Sequence, residues 1–187
     1  MAWVWAIGLA AAALVAYAAW TYNRLVALNR RADGAWSDID VQLKRRWDLV
    51  PALVAAVKGY AGHESGTLEQ VVAARTRATE SASGSVAGRG ESERGLAAAV
   101  RGVFALAEAY PDLKAGKNFL DLQASLVGIE DQVQYARRYY NAVVRDLNTL
   151  IESFPSMVVA SAGGFRPRDY FQLDGDHERA APQVKLG

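Results

Sequence analysis

The sequence of 187 residues contains no cysteine and only two histidines, His63 and His177. Without a thiol the chain has no disulfide framework, no thiolate metal site and no cysteine nucleophile. His63-Glu64 begins like a zinc-protease helix, but residue 67 is threonine where that motif needs its second histidine. We therefore expect no metal, no cofactor and no catalytic residue.

A strong charge of one sign is also missing, because 21 lysines and arginines stand against 20 acidic residues. Binding nucleic acid through counterion release needs a basic face, so no nucleic-acid partner is expected. The serines have no paired histidine and acid to activate them, and Gly84, Gly88 and Gly90 match no phosphate-binding fingerprint. These absences argue against an enzyme.

A charge-free apolar stretch opens the chain, and 19 of the 21 residues from 2 to 22 are apolar or aromatic. As a helix it is long enough to span the ~30 Å hydrocarbon core of a bilayer. A cleaved signal peptide is the alternative, but no lysine or arginine precedes the stretch. We predict a retained membrane anchor over residues 1–22. Its interfacial aromatic residues are Trp3, Trp5, Tyr17, Trp20 and Tyr22.

Positive charge follows this stretch closely, at Arg24, Arg30 and Arg31. The positive-inside rule then places the N-terminus outside and the remaining chain in the cytoplasm. The sequence predicts a single-pass protein of the cytoplasmic (inner) membrane, with the lipid bilayer as its first partner.

Apolar residues at alternating steps of three and four predict helices that pack along a seam. The first helix is expected to continue from the anchor to about residue 61, with Pro51 kinking it rather than ending it. The last is expected to run to Pro155. The two seams are Trp36, Ile39, Leu43, Val50, Leu53, Val57 and Tyr60, and Phe119, Leu122, Leu126, Ile129, Val133, Ala136, Tyr140, Val143, Leu147, Leu150 and Phe154.

Two shorter helices are predicted between the long ones. Thr67, with Gln70 three residues later, predicts the N-cap of a helix that ends near Thr79. Residues 81–90 are rich in glycine and serine and are interpreted as a flexible connection. The next helix is expected to stop at Pro111. No strand pattern competes, so the fold class is all-α, an antiparallel four-helix bundle with two long and two short helices.

The long helices extend about 60 Å beyond the membrane and the short ones about 28 Å, so a two-helix stem lacks cover. Its own tail, the membrane surface and other copies of the chain are the alternative covers. Residues 156–171 supply apolar side chains for the first of these. We place the bundle at residues 23–172, and we expect the polar residues 173–187 to be disordered.

Arg46 falls on the seam between Leu43 and Val50. A buried guanidinium needs a carboxylate, and antiparallel long helices bring the region of Glu130 and Asp131 nearest. A register-setting ion pair, a snorkelling arginine and a functional site remain open alternatives. The structural or interaction candidates are Trp36, Arg46, Pro51, Glu130, Arg137, Tyr140, Phe154 and Phe165.

Several ordered segments match one known family. They are YNRLV (22–26), AWSDIDVQLKRR (35–46), DLVPALV (48–54), VKGY (57–60), HE (63–64), ARRYYN (136–141), Asn148, IESFP (151–155), GF (164–165) and YF (170–171). Through them the chain resembles the LemA family over about residues 20 to 172. The resemblance implies one N-terminal membrane helix, an outside N-terminus and an antiparallel cytoplasmic bundle. Residues 81–90 are the least family-like part.

The resemblance implies no established enzymatic activity and supplies no catalytic residues. A relative in magnetotactic bacteria is tied to the formation of magnetosome membranes, and family genes often neighbour genes for membrane proteases.

The stem that lacks cover and this resemblance together suggest two alternative functions. One is a membrane-tethered scaffold that self-associates as a homo-oligomer and organises or remodels the membrane. The other is an adaptor that presents a helical surface to a membrane protein partner such as a protease.

Overall fold

The computed structural model describes residues 1–61 and 64–172, and within them the chain is all-helical, without a strand. The predicted fold class is confirmed. Two long helices, α1 (Ala2–Lys58) and α5 (Lys117–Glu152), and the shorter ones between them form an antiparallel bundle. The helices are α1 (Ala2–Lys58), α2 (Ser65–Glu80), a 3₁₀ turn (Ser81–Ser83), α3 (Val86–Ala107), α4 (Pro111–Lys114), α5 (Lys117–Glu152) and α6 (Ser156–Ala162).

The chain divides into two compact units, and both long helices contribute to each. The stem unit combines Met1–Asp38 with Arg138–Tyr170. The bundle unit combines Ile39–Arg137 with Phe171 and Gln172.

Apolar side chains at the predicted spacing fill the bundle unit, because each amphipathic helix buries one stripe. Tyr60 is an exception on the α1 seam, since α1 ends at Lys58 and the Tyr60 side chain is exposed. The core residues are Ile39, Leu43, Val50, Leu53 and Val57 of α1, Leu68, Val71, Ala74 and Ala78 of α2, Leu96, Val100, Val103 and Ala107 of α3, and Phe119, Leu126 and Val133 of α5.

Pro51 lies inside α1, and the helix continues through it. Because proline has no backbone N–H, the carbonyl of Trp47, four residues earlier, loses its helical donor. Arg75 of α2 supplies a replacement, since its Nε donates to this carbonyl at 2.8 Å. The proline therefore opens an acceptor on α1 that a side chain of the neighbouring helix occupies.

Two local predictions about the short helices are wrong. The N-cap position of α2 is Glu64 rather than Thr67, which lies within the first turn. Residues 81–90 are not a flexible connection, because a 3₁₀ turn occupies Ser81–Ser83 and α3 already begins at Val86. Ser85 caps α3 by accepting a hydrogen bond from the N–H of Gly88 at 3.1 Å. The predicted turn residue His63 lies outside the described residues.

The stem unit obtains cover from its own tail. Leu25 and Leu28 of α1 pack with Leu147 and Ile151 of α5, and Ala160 of α6 completes this buried cluster. Leu150, Val159 and Phe165 pack against it. The position of Phe154 was predicted wrongly, because α5 ends at Glu152 and 81% of Phe154 is exposed. The tail predicted as disordered, residues 173–187, lies outside the described residues.

Candidate functional site

The N-terminal third of α1 carries exposed apolar side chains on all sides. Its most apolar window of 18 residues has the length and composition to cross a membrane, and 0% of that window is buried in the protein. The core helix of a soluble domain would bury such side chains, so this surface suits lipid. The large exposed residues are Trp3, Val4, Trp5, Ile7, Leu9, Leu14, Val15, Trp20 and Tyr22.

The aromatic residues proposed for the interface lie at the two ends of this surface. Trp3 and Trp5 are exposed near its start, and Trp20 and Tyr22 near its end. Tyr17 is half-buried, with its ring centroid 6.3 Å from that of Trp20. Two aromatic belts separated by a charge-free span are the pattern of a membrane helix.

A buried ionic cluster lies in the bundle unit, and Arg46 is at its centre. Only 4% of the Arg46 side chain is exposed. Its Nη1 donates to Oε2 of Glu93 on α3 at 3.2 Å, and its Nη2 donates to Glu130 on α5. Glu130 belongs to the region, Glu130 and Asp131, that sequence analysis placed nearest. Because the guanidinium is buried and paired twice, the snorkelling interpretation is wrong.

Glu93 was not predicted as a site residue, although its side chain is 0% exposed. The indole Nε1 of Trp47 donates to its Oε1 at 2.7 Å. Burial raises the pKa of Glu93, and the opposing effects of Arg46, Trp47 and Arg89 offset this only in part. The signal was present, since extending the α3 seam backward from Leu96 in steps of three and four reaches Glu93 and then Arg89.

A second buried arginine, Arg89, closes the cluster. It pairs with Asp40 of α1 at 2.5 Å, and its Nη1 donates to the carbonyl of Ala82 at 3.1 Å. The guanidinium also lies 5.8 Å from the centroid of the Trp47 ring. Acidic and basic groups thus alternate across α1, α3 and α5. The arrangement pairs charges and contains no nucleophile with a base, so it supports a structural role in helix register.

The stem unit holds a segment without helix or strand, residues 165–170, which we call the strap. The backbone of Arg168 makes two hydrogen bonds with the side chain of Asn148, both at 2.9 Å, one accepted and one donated. The Arg168 guanidinium donates to Asn29 at 3.1 Å and to Asp33 at 2.6 Å on α1. One strap residue therefore connects α1 with α5.

Aromatic residues hold the strap further along. The hydroxyl of Tyr140 donates to the carbonyl of Asp169 at 3.1 Å, and the ring centroid of Trp36 lies 5.2 Å from that of Tyr140. Burial raises the pKa of Tyr140, so the hydroxyl stays protonated as a donor. Trp36 and Tyr140 were both candidates from sequence, and Arg137, also a candidate, is half-buried on α5.

Replacing Asn148 by alanine is expected to destabilise the stem unit by about 1–3 kcal/mol, because a partly buried N–H and C=O of Arg168 lose their partners. Thr149→Ala is the matched control, since Thr149 is the exposed neighbour on the same helix, and a change within about 0.5 kcal/mol is expected there. Hydrogen exchange of the Arg168 amide reports the loss locally. Unchanged exchange in Asn148→Ala would contradict this role.

Among residues 1–61 and 64–172, no group of three or more histidine, cysteine, aspartate or glutamate side chains lies close enough together to hold a metal ion. The described part of the chain offers an exposed apolar helix, a buried ionic cluster and a strap.

The chain resembles a known protein family and several magnetosome proteins. The profile of the LemA family matches residues 35–186. The chain is similar to magnetosome protein MamQ 2 of Paramagnetospirillum magneticum, with 24% identity over 202 residues that cover 94% of this chain and 74% of the relative. Its identity to magnetosome protein MamQ of Magnetospirillum gryphiswaldense is 24% over 189 residues, covering 87% of this chain and 70% of the relative. Neither name states a catalysed reaction.

Proposed function

Because this chain belongs to the LemA family, we propose that it is a single-pass, membrane-anchored helical scaffold that associates with copies of itself and organises or remodels the membrane. The chain's description as a membrane-associated helical protein rests on the exposed apolar helix and on the magnetosome relatives. One observation carries the proposal further. The apolar segment and the first bundle helix are one uninterrupted helix, Ala2–Lys58.

The orientation in the proposal follows from charge. Arg24, Arg30 and Arg31 follow the apolar segment closely. The anchor therefore spans the inner membrane of the cell, with the N-terminus outside and the bundle in the cytoplasm.

Self-association is supported by an outer stripe on α5, which is apolar except for the exposed Asp131 between its last two members. Leu120, Val127 and Tyr135 are exposed on this helix, with 47%, 53% and 64% of each residue accessible. Their spacings of seven and eight residues place them on one helix face. A row of large apolar side chains in water suits contact with another helix of the same kind.

Light scattering from the full chain in mild detergent tests self-association. We expect a large particle of uniform size, and a monomer or dimer for the variant Leu120→Glu/Val127→Glu/Tyr135→Glu, because three carboxylates would lie in the contact. Val72→Glu on α2 is the control, since Val72 is a similarly exposed valine on a different helix. It should leave the particle size unchanged.

A wild-type chain that stays monomeric at high concentration would contradict the scaffold. The stripe on α5 would then be available to a different membrane protein, and the adaptor function would take precedence. Cross-linking in native membranes distinguishes the two, because an adaptor gives a stoichiometric heteromer and a scaffold gives contacts between identical chains.

A further inference from the structure

The corner between α5 and α6 has exposed apolar side chains that the buried core does not use. Phe154, Met157 and Val158 are 81%, 47% and 62% exposed. The opposite side of α6 is packed, because Ser156 and Ala160, four residues apart, are buried. No residue from 154 to 165 is charged. The corner is thus an apolar surface with a covered inner side and an open outer side.

Two observations place this corner beside the end of the apolar segment. Phe165, which follows α6, packs edge-on against Tyr22 with ring centroids 5.7 Å apart. Ala160 lies in the same buried cluster as Leu25 and Leu28. All of these residues belong to the stem unit.

The end of α5 reaches the same level of α1. Ser153 lines a shallow surface depression together with Arg24 and Leu28. Leu25 is three residues beyond Tyr22, a rise of about 4.5 Å along the helix. Because apolar faces at an interface lie ~5–10 Å deep at the boundary of headgroups and acyl chains, the corner is within reach of the bilayer if Tyr22 marks its surface.

We propose that Phe154, Met157 and Val158 insert into the membrane interface as a second lipid contact beside the spanning helix. This inference rests on the proposed function, since it takes α1 as the anchor. Continuity with the apolar segment identifies the occupant as lipid, and the charges agree. Arg24 and Arg166 are exposed near the corner, against one exposed carboxylate at Glu152, and this excess of positive charge suits lipid phosphates.

A spin label at single cysteines tests the proposal. The chain has no cysteine of its own, so each variant carries one label without further changes. Phe154→Cys, Met157→Cys and Val158→Cys are made in the full chain, reconstituted in vesicles of phosphatidylcholine and phosphatidylglycerol. The collision rates of each nitroxide with oxygen, which partitions into lipid, and with a water-soluble nickel complex are compared.

Two control positions in the stem unit frame the result. Leu14→Cys lies in the exposed apolar segment and Asp38→Cys on an exposed position of α1, 16 residues beyond Tyr22, or about 24 Å along the helix. We expect oxygen to dominate at residue 14 and nickel at residue 38. Oxygen should also dominate at 154, 157 and 158, with a shallower depth than at 14.

Each other result overturns a defined part of the argument. If nickel dominates at the corner while residue 14 is in lipid, the second contact is absent and the anchor stands. If both collision rates at the corner are low, protein covers it and a second copy of the chain is the occupant. If residue 14 itself is accessible to nickel, the anchor and the proposed function fail. A triple variant, Phe154→Ser/Met157→Ser/Val158→Ser, checks that the label itself does not cause the insertion. In this background a label at Ser153→Cys should move from lipid toward water.

Discussion

Replacing Arg46 by methionine is expected to lower the free energy of unfolding by about 3–5 kcal/mol, because it leaves a buried carboxylate without its main cation. Glu93 has no exposed side-chain surface, and Arg46 is the first of the groups that favour its charged form. Glu130 is half-exposed and can be solvated in the variant. The measurement is urea unfolding of the full chain in mild detergent, followed by circular dichroism.

The control is the double variant Arg46→Met/Glu93→Gln. A glutamine at position 93 retains a carbonyl oxygen for the indole N–H of Trp47, which donates to Glu93 at 2.7 Å in the native protein. The buried charge is removed together with its partner, so most of the lost stability should return. If the single and double variants are equally unstable, the loss comes from packing rather than from the unpaired charge.

The pH dependence gives an independent check. The folded pKa of Glu93 is raised above its ordinary value of 4.5. Ionisation of Glu93 therefore lowers the free energy of unfolding, and this loss is complete above the folded pKa. The loss disappears as the pH falls from the folded pKa to 4.5. Arg46→Met removes a cation that lowers this pKa, and the pKa rises further. The loss in Arg46→Met should therefore shrink on acidification toward 4.5, and Arg46→Met/Glu93→Gln should show no such change.

The long helices were predictable because their amphipathic pattern is regular. Steps of three and four identify the buried stripe of α1 and α5, and a polar residue on that stripe requires a partner. This reasoning led from Arg46 to the region of Glu130 and Asp131, in which Glu130 is the partner. The same reasoning misses Glu93, because the glycines near residue 90 indicate a linker and end the predicted seam of α3 there.

The errors at residues 81–90 and at Phe154 have tertiary causes. Glycine and serine disfavour a helix locally, yet α3 begins at Val86 and buries Arg89 and Gly90. Contacts formed elsewhere in the fold override this local preference. At Phe154 the periodicity continues past the last turn of α5, because spacing alone does not show where that helix itself ends. The chain turns there into α6, and Phe154, Met157 and Val158 stay exposed.

Phe171→Ala is expected to destabilise the bundle unit by about 3–5 kcal/mol, the usual loss for a buried phenylalanine. Phe171 is 0% exposed and follows directly after the strap. It reaches its place beside Gly90 of α3, where an added Cβ would collide with the carbonyl oxygen of Gln172 and lie 3.7 Å from the Phe171 ring. The helix can thus take only glycine at this position while Phe171 and Gln172 are packed against it.

Gly90→Ala tests the same contact from the other side. Glycine to alanine within a helix normally stabilises by about 0.5–1 kcal/mol, and Gly95→Ala in α3, where the added Cβ has no neighbour within 4 Å, should show this gain. Gly90→Ala should destabilise instead, because a backbone atom must move. In Phe171→Ala/Gly90→Ala the losses should be less than additive, since both changes release the same segment. Equal gains in the free energy of unfolding at positions 90 and 95 would mean that Phe171 and Gln172 do not pack on α3.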